Sequence, residues 1–408
     1  MKIDVAIVGA SSAGLYAAEK LARAKQRVIV FERSSALSHQ RRTLIVTPHL
    51  LHILGYRPGA ALLHEISIMD VATPQATVSI KLQEPDLIIE RNAFIRHLAA
   101  RAEAAGATIC YGHRFACLEA VEDGVLLSFR SDRGDLSVTA GAVIGADGLH
   151  SSIATAANMQ RPPSVPILQA EVTLPATWDP GVTKVWFDVH DTRFFYWLIP
   201  ESATKGVVGL VGDNGLSTRR LLERFLTKHG FSAEAYQGAR VAMYEPGLRP
   251  WGRVGDAPVL LVGDAAGQVK VTTVGGSVSG LWGAQAAVNA ILNRRAYARE
   301  LAPLKRELNL HYTIRALLER LDNAGYDQLL NHLMNSGRRF LGRYNRDEMA
   351  RHFWKLPLYQ PRLLLLGLRL LSGRPVRQFG QTQYASTGPD DDRSSALKGQ
   401  FRQEEGEP

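Results

Sequence analysis

Glycine and acidic residues near the amino terminus have the types and spacing that bind a dinucleotide. Gly9 and Gly14 flank a short turn, an apolar run precedes it, a helix-forming segment follows it, and a second apolar run ends on Glu32, 18 residues after Gly14. In such a βαβ unit the glycines permit a tight turn and close helix packing, the helix N-terminus attracts a pyrophosphate, and the acid accepts ribose hydroxyls. Ser11 stands where the G-x-G-x-x-G pattern has its middle glycine. The alternative, a glycine turn in an ordinary parallel sheet, is disfavoured because strand, helix and acid are all in place.

Two later segments carry the same combination of glycine and acid at the end of an apolar run. Residues 142–148 end in Gly-Ala-Asp-Gly, and residues 257–267 end in Gly-Asp-Ala-Ala-Gly. An acid at the carboxyl end of a parallel strand can reach a cofactor sugar or phosphate. Gly275 and Gly276 then open a helix, whose N-terminus would stabilise a further negative charge.

The elements that must position these motifs belong to an α/β fold. Prolines at 162, 163 and 166 mark a change to alternating strands over 167–212, followed by a helix over 218–229, and Rossmann-type sequence resumes at 257. We therefore predict a Rossmann-like dinucleotide-binding domain with an inserted antiparallel β-sheet substrate domain and a helical C-terminal region. The predicted boundaries are 1–70, 88–160 and 255–295 for the first domain, 71–87 and 161–254 for the second, 296–380 for the helical region, and 385–408 for a disordered polar tail. Within them, the segment 44–54 is predicted to contain a short helix that ends at Gly55, and we predict a strand over 77–82, a helix over 93–105 and a hairpin over 116–138.

Composition indicates an ordinary globular protein of a reducing compartment. The chain has 408 residues, 46% hydrophobic and 21% charged, and its two cysteines, Cys110 and Cys117, form neither a metal pattern nor a disulfide framework. We find no signal peptide and no apolar stretch of membrane-spanning length, so we predict a cytoplasmic protein.

Basic residues are concentrated near the C-terminus. Residues 294–377 contain 17 Lys/Arg against 7 Asp/Glu, whereas the whole chain carries a net charge of +9. We expect no nucleic-acid partner. The basic helices and the Arg-flanked leucine run at 362–371 suit peripheral contact with the inner face of an anionic membrane. The alternatives are a solvated helix face for the basic residues and a buried helix for the leucine run.

Taken in order, the three glycine and acid segments are similar to those of FAD-dependent oxidoreductases of the aromatic-hydroxylase-like fold. Two further features resemble the geranylgeranyl reductase family. Phe195-x-Trp197-x-Ile199-Pro200 is similar to that family's Y-x-W-x-F-P strand, and residues 263–276 are similar to its G-D-A-A-G…T-G-G-G-I segment. The helical C-terminus also resembles these prenyl reductases, and the resemblance covers about residues 1–375.

The chain departs from the family at three positions around the cofactor. Gln40-Arg41-Arg42 stands near the place of a Cys-Gly pair, and Phe195 replaces the tyrosine of Y-x-W. The T-G-G-G-I segment reads Thr273-Val274-Gly275-Gly276-Ser277. These changes affect the expected reaction more than the expected fold.

The resemblance implies FAD as the cofactor, with an electron donor that is either NAD(P)H or a reduced carrier protein. The cofactor-binding residues that follow from the motifs and the resemblance are Gly9, Ser11, Ser12, Ala13, Gly14, Glu32, Arg33, Arg91, Asp147, Gly263, Asp264, Gly275 and Gly276. Arg42, with Arg41, is placed to reach the cofactor phosphates, and a surface pair is the equal alternative. Phe195 and Trp197 are implied substrate contacts, with core packing as the alternative, while Tyr196 points to the opposite strand face. No catalytic residue is assigned, because lone histidines such as His39, His49 and His52 are more often packing or surface residues.

The leading functional hypothesis is reduction of isolated double bonds in a prenyl lipid or pigment precursor, a hydrophobic substrate. The alternative is an FAD-dependent monooxygenase acting on an aromatic or other hydrophobic small molecule. A flavin-dependent halogenase is a weaker option, since no W-x-W-x-I-P run with a nearby lysine is present. A non-enzymatic protein that binds a hydrophobic ligand also stays open.

Overall fold

The computed structural model describes residues 1–37, 42–213, 217–363, 366 and 367, apart from the side chain of residue 335. Predictions for His39, Gln40, Arg41, most of the leucine run and the tail lie outside this range. The strands are β1 Lys2–Val8, β2 Val28–Phe31, β3 Thr43–Val46, β4 Leu62–Ala72, β5 Thr77–Glu90, β6 Thr108–Cys110, β7 Arg114–Val121, β8 Gly124–Arg130, β9 Leu136–Gly145, β10 Ser164–Thr173, β11 Val182–Trp186, β12 Tyr196–Pro200, β13 Lys205–Val211, β14 Ala233–Ala242, β15 Trp251–Val254 and β16 Ala257–Leu261. The helices are α1 Ser12–Arg23, α2 His49–Leu54, α3 Arg91–Ala104, α4 Ser152–Ala156, α5 Thr218–His229, α6 Ser277–Leu292, α7 Tyr297–Glu300, α8 Ala302–Leu318, α9 Asn323–His332, α10 Arg338–Arg343, α11 Met349–His352 and α12 Leu356–Tyr359.

The first sheet has a parallel centre that aligns the three motifs. Its order is β15-β16-β9-β1-β2-β6, extended by the β7–β8–β9 meander. Val5 pairs with Val28 on one side and Ala142 on the other, and Val143 pairs with Val259. β1 is almost fully buried, as expected for a central parallel strand covered on both faces. Because β1, β9 and β16 run in the same direction, their carboxyl ends and the three predicted motifs meet at one edge.

The second sheet has the order β14-β10-β13-β12-β11-β4-β5-β3. Its pairings are antiparallel except for the parallel contact between β4 and β11. The predicted domain limits need correction here, since residues 43–46, 62–70 and 88–90 were assigned to the first domain but belong to β3, β4 and β5 of this sheet. Residues 44–54 divide into the strand β3 and the helix α2. β14 was not predicted, because its alternation is weak and half-exposed.

The C-terminal helices pack against the second sheet. Leu330 of α9 joins a cluster with Val78, Ile80 and Leu82 of β5, and Leu341 of α10 packs against the same cluster. α8 buries an unusual inner face, which includes Glu307, His311 and Arg315. Within the described residues, no helix is both long enough and apolar enough to cross a bilayer.

Candidate cofactor and substrate site

The first glycine turn has room only for glycine at both ends. Gly9 has φ +103°, and a Cβ there would lie 2.4 Å from the carbonyl oxygen of Ala146. A Cβ at Gly14 would lie 2.4 Å from the carbonyl oxygen of Gly9. These close approaches draw the start of α1 toward the end of β9, as the motif predicts.

Ser11 has a structural use at the position of the middle glycine. It is the N-cap of α1, and its Oγ accepts a hydrogen bond from the Gly14 amide at 3.2 Å. The amides of Ser12 and Ala13 lie in the first turn, where α-helical N–H groups have no intrahelical partner. The serine therefore keeps the helix N-terminus ordered for an anion.

Glu32 lies at the end of β2 and is held by two backbone amides. Its Oε2 accepts from Ala10 and its Oε1 from Ser34, each at 2.9 Å. The carboxylate is thus fixed beside the glycine turn, where the ribose was expected. Arg33 is exposed next to it.

Asp147 follows β9 and serves partly as a cap. Its Oδ2 accepts hydrogen bonds from the amides of Ser152 at 2.7 Å and Ile153 at 3.2 Å. Burial raises the pKa of this carboxyl, although the hydrogen bonds from residues 151–153 oppose the shift. The acid that was expected at the cofactor therefore also fixes the start of α4.

Two arginines and one aspartate form a positively charged group between the sheets. Burial, and then the charge of Arg91, lowers the pKa of Arg42, while Asp264 partly offsets the shift. Burial also lowers the pKa of Arg91 and raises the pKa of Asp264, and their mutual attraction opposes both shifts. The Arg91 amide donates to the Arg42 carbonyl at 2.8 Å, which ties the two residues together. Two half-buried guanidinium groups facing one carboxylate fit a diphosphate, whose charge would complete the pairing.

The second glycine turn, residues 270–276, leads into α6. Gly263 of the third motif lies between α1 and α6, since a Cβ on Gly263 would be 3.5 Å from Cβ of Ala13 and a Cβ on Gly280 would be 3.2 Å from Cα of Gly263. A Cβ on Gly276 would lie 3.2 Å from Oδ1 of Asp264. The predicted residues of the first, second and third motifs are therefore brought together in one site.

A cavity of about 400 Å³ continues from this turn across the inner face of the second sheet. Phe195 and Trp197 line it, with ring centroids 6.2 Å apart. Tyr196 points away and stacks on Phe225 of α5 at 4.0 Å, as strand alternation predicts. A Cβ on Gly209 would lie 2.4 Å from the Trp197 ring, so the neighbouring strand makes room for this side chain. The remaining walls are mostly apolar and come from β3, β4, β11 and the helices α8 to α10.

Sequence reasoning missed several polar residues of the wall, among them two hydrogen-bonded or ion-paired pairs. Lys270 forms a buried ion pair with Asp347, and Thr272 hydrogen-bonds to His311. Lys270 and Thr272 lie between the Gly-Asp-Ala-Ala-Gly segment and Gly275-Gly276, and this position could have marked them as site residues. Asp347 and His311 lie in helical sequence with no pattern that marks them.

Of the two described histidines that the sequence analysis weighed, His49 is largely buried and His52 is exposed. His49 and His52 have ring centroids 5.8 Å apart, and His49 lies 5.3 Å from the Trp282 ring. Burial lowers the pKa of His49, with Asp347 and Glu348 opposing the shift. Neither histidine is among the residues that line the cavity.

The donor set at this edge of the sheet fits FAD, with a carboxylate for the ribose, two arginines for the diphosphate and a helix N-terminus beyond. The family model described as FAD binding domain matches residues 2–291. A digeranylgeranylglycerophospholipid reductase of Methanopyrus kandleri is 30% identical over 300 residues, which cover 68% of this chain and 73% of the relative. Another, from Methanosphaera stadtmanae, is 26% identical over 301 residues, covering 69% and 75%. The crystal structure of a geranylgeranyl bacteriochlorophyll reductase-like protein from Thermoplasma acidophilum aligns with TM-score 0.73 at 19% identity, over 90% of this chain and 99% of that one.

Fold and site together define an FAD-dependent oxidoreductase. The chain belongs to the FAD-binding-domain family and, within it, to the geranylgeranyl reductase family. The cofactor, the enzyme class and the α/β fold predicted from sequence are thereby confirmed.

Proposed function

We propose that this protein reduces isolated carbon–carbon double bonds of a prenyl chain in a lipid or pigment precursor. The observation that carries the proposal is the apolar cavity that begins at Gly275 and Gly276 and passes Phe195 and Trp197. Its volume, about 400 Å³, lies in the range of small-molecule sites. The names of the similar digeranylgeranylglycerophospholipid reductases support the same substrate class.

In this reaction the chain's own residues bind, orient and exclude water. Bound FAD supplies hydride chemistry once it has been reduced. Arg42 and Arg91 would hold its diphosphate, Glu32 its ribose, and the N-terminus of α6 would favour negative charge at the ring. The aromatic pair and the leucines of α9 and α10 would press one chain segment against the cofactor and keep water away from it.

Anaerobic turnover tests the proposal against its main rival. The FAD-loaded enzyme, chemically reduced under nitrogen, is mixed with a lipid that carries geranylgeranyl chains, and mass spectrometry follows the gain of hydrogen at each double bond. Saturated product without oxygen supports the reductase. Product that forms only with O₂ and incorporates its oxygen would replace the proposal by a monooxygenase. Anaerobic bleaching of the flavin by NADH, NADPH or a reduced carrier protein then identifies the electron donor.

A surface on the C-terminal helices supports peripheral membrane contact from the cytoplasmic side. Trp354 and Leu358 are 67% and 77% exposed, four residues apart, and Arg351 and Lys355 lie among them. An exposed aromatic and aliphatic pair with basic neighbours suits an anionic bilayer surface. In vesicle flotation, the double variant Trp354→Ser with Leu358→Ser should bind anionic vesicles less than the wild type. Equal flotation of both proteins would remove this part of the proposal.

A further inference from the structure

The second glycine turn contains a valine in a backbone conformation that suits glycine. Val274 has φ +52°, in the left-handed region. A β-branched residue is a rare outlier there, and such strain persists only where surrounding contacts impose it. Glycine would adopt this conformation without the penalty that the valine side chain brings.

The first contact that holds the turn is a buried ion pair. Lys270 and Asp347 have side chains that are 6% and 2% exposed, and Nζ of the lysine meets Oδ1 of the aspartate. The Thr47 hydroxyl donates to the other carboxylate oxygen. Burial alone would raise the pKa of Asp347, but the charge and hydrogen bond of Lys270, together with Thr47, hold it below its usual value. The carboxylate is therefore ionised and engaged on both oxygens.

The ion pair acts directly on the turn that contains Val274. The Lys270 amide donates to the Gly275 carbonyl at 3.2 Å, and the Thr273 amide donates to the Lys270 carbonyl at 3.2 Å. Cε of Lys270 lies 4.0 Å from the position that a Cβ on Gly275 would take. The lysine thus closes the turn through its backbone while its side chain runs along the glycine.

The second contact comes from α8. The Thr272 hydroxyl hydrogen-bonds to Nδ1 of His311, and Nε2 of that histidine lies 3.0 Å from the Arg346 carbonyl oxygen. Glu307, one helical turn earlier, accepts from the amides of Met349 and Ala350, each at 2.8 Å. Both contacts therefore depend on residues 346–350, which we call the C-terminal clasp.

A buried ion pair is a poor source of net stability, because desolvation of both charges offsets their attraction. It is well suited to select one conformation, since each partner tolerates few alternatives. Because both contacts lie beside the strained Val274, they can hold the backbone of this turn in its left-handed conformation, which general packing would not explain.

We propose that Asp347 and His311 are positioning residues, which hold the 270–276 turn in the strained conformation required for FAD binding. The C-terminal clasp thereby controls the affinity for the cofactor, although it lies outside the matched FAD-binding segment. The inference rests on the proposed position of the cofactor's ring beside Gly275 and Gly276, but not on the substrate.

A double-mutant cycle with a glycine rescue tests this proposal. FAD affinity is measured by fluorescence titration of the full-length apoprotein for the wild type, Asp347→Asn, Val274→Gly and the double variant. With Val274 present, Asp347→Asn should weaken FAD binding about tenfold. This change in affinity corresponds to a free energy of the same size as the backbone strain at one residue. In the glycine background the same substitution should weaken it less than about threefold, because glycine adopts the left-handed conformation without the penalty. An equal loss in both backgrounds, or no loss in either, would overturn the proposal.

A second way of removing the ion pair guards against misfolding. Replacing both partners, Lys270→Met with Asp347→Leu, avoids an unpaired buried charge and should retain the fold by circular dichroism. This variant should bind FAD as weakly as Asp347→Asn and should also be rescued by Val274→Gly. Wild-type affinity in this variant would contradict the proposal.

Two further variants separate the possible causes of failure. Glu19→Gln breaks another buried ion pair, with Arg101, whose partners lie on α1 and α3. Any change that this substitution causes in FAD affinity should be the same with Val274 and with glycine at position 274. Gly275→Val tests whether the ring of the cofactor lies beside Gly275, as the proposal assumes. If it leaves FAD affinity unchanged, the assumed cofactor position is wrong and the inference falls with it. If it abolishes binding while Asp347→Asn has no effect, the position stands and the role of the clasp is refuted.

Discussion

The two glycine turns that flank the cofactor site reach their conformations in opposite ways. The Gly9–Gly14 turn uses residue types that suit it, with glycine at φ +103° and a serine cap. The 270–276 turn carries a valine at φ +52° and takes its buried polar contacts from Asp347 and His311. A turn can therefore be held by its own residues or by contacts from a segment distant in sequence, and a sequence motif reveals only the residues of the turn itself.

The largest effect is expected from breaking the first turn. Gly9→Ala would combine an unfavourable positive φ with a Cβ 2.4 Å from the Ala146 oxygen, so the free energy of unfolding should fall by about 2–5 kcal/mol. FAD binding should be lost with it. Urea denaturation and FAD titration measure the two effects.

Gly55 provides the matched control for that substitution. It has φ +78°, but no atom lies within 4 Å of the position that a Cβ would take, so Gly55→Ala should cost only about 1 kcal/mol. If the two alanine variants were equally destabilised, close approach would not be what the first turn requires.

The next largest effect concerns the wall that faces the second turn. Trp197→Leu should lower kcat/KM at least about tenfold and unfolding stability by about 2 kcal/mol, because the wall loses a large aromatic surface. Tyr196→Phe, on the opposite face, loses a hydrogen bond to Asp191 at 3.0 Å and should cost only about 1 kcal/mol. Steady-state kinetics should leave kcat/KM of this control unchanged, and a parallel loss in both variants would argue against a wall role for Trp197.

A smaller effect sharpens the interpretation of Ser11. Ser11→Ala removes the N-cap of α1 and should lower the free energy of unfolding by about 1 kcal/mol, whereas Ser11→Gly should lower it by only a few tenths. The glycine variant, which restores the family pattern, should bind FAD at least as well as the wild type. Weaker FAD binding by the glycine variant would mean that the hydroxyl itself contacts the cofactor.

The smallest effect is a pH dependence near the second turn. The pKa of His49 is lowered in the folded protein, so the unfolded chain takes up the proton first when the pH falls below about 6.5. The contribution of neutral His49 is complete above that value and declines as the pH falls toward the lowered pKa. His49→Gln should therefore lose less stability than the wild type between about pH 7.5 and pH 5.5 in urea denaturation. Identical losses of stability in the two proteins would contradict the lowered pKa of His49 in the folded state.

Sequence reasoning was most successful where local signals decide the structure. The βαβ unit, the two later acid turns, the hairpin of β7 and β8 and the helix α5 were all predicted, because glycine, alternation and caps act over a few residues. The face of Phe195 and Trp197 also followed from strand alternation.

The remaining features depend on contacts that no local pattern records. β3 and β4 lie in the second sheet because they pair with β5 and β11, and their own sequences do not specify that choice. The ion pair of Lys270 with Asp347 joins a motif segment to a helical region 77 residues further along the chain. A single sequence therefore shows which residue types are present for such a site. Which of them come together is decided by contacts between segments that are distant in the sequence.

The hydrogen bond between Thr47 and Asp347 spans 300 residues of the chain. During synthesis the first strand and its glycine turn leave the ribosome long before the clasp exists. Until then the apolar cavity lacks the part of its wall that residues 346–349 supply. The nascent chain should therefore be a client of chaperones until the last sixth of its synthesis, when residues 346–350 emerge. Variants that weaken the clasp should accumulate as insoluble protein before they lose activity.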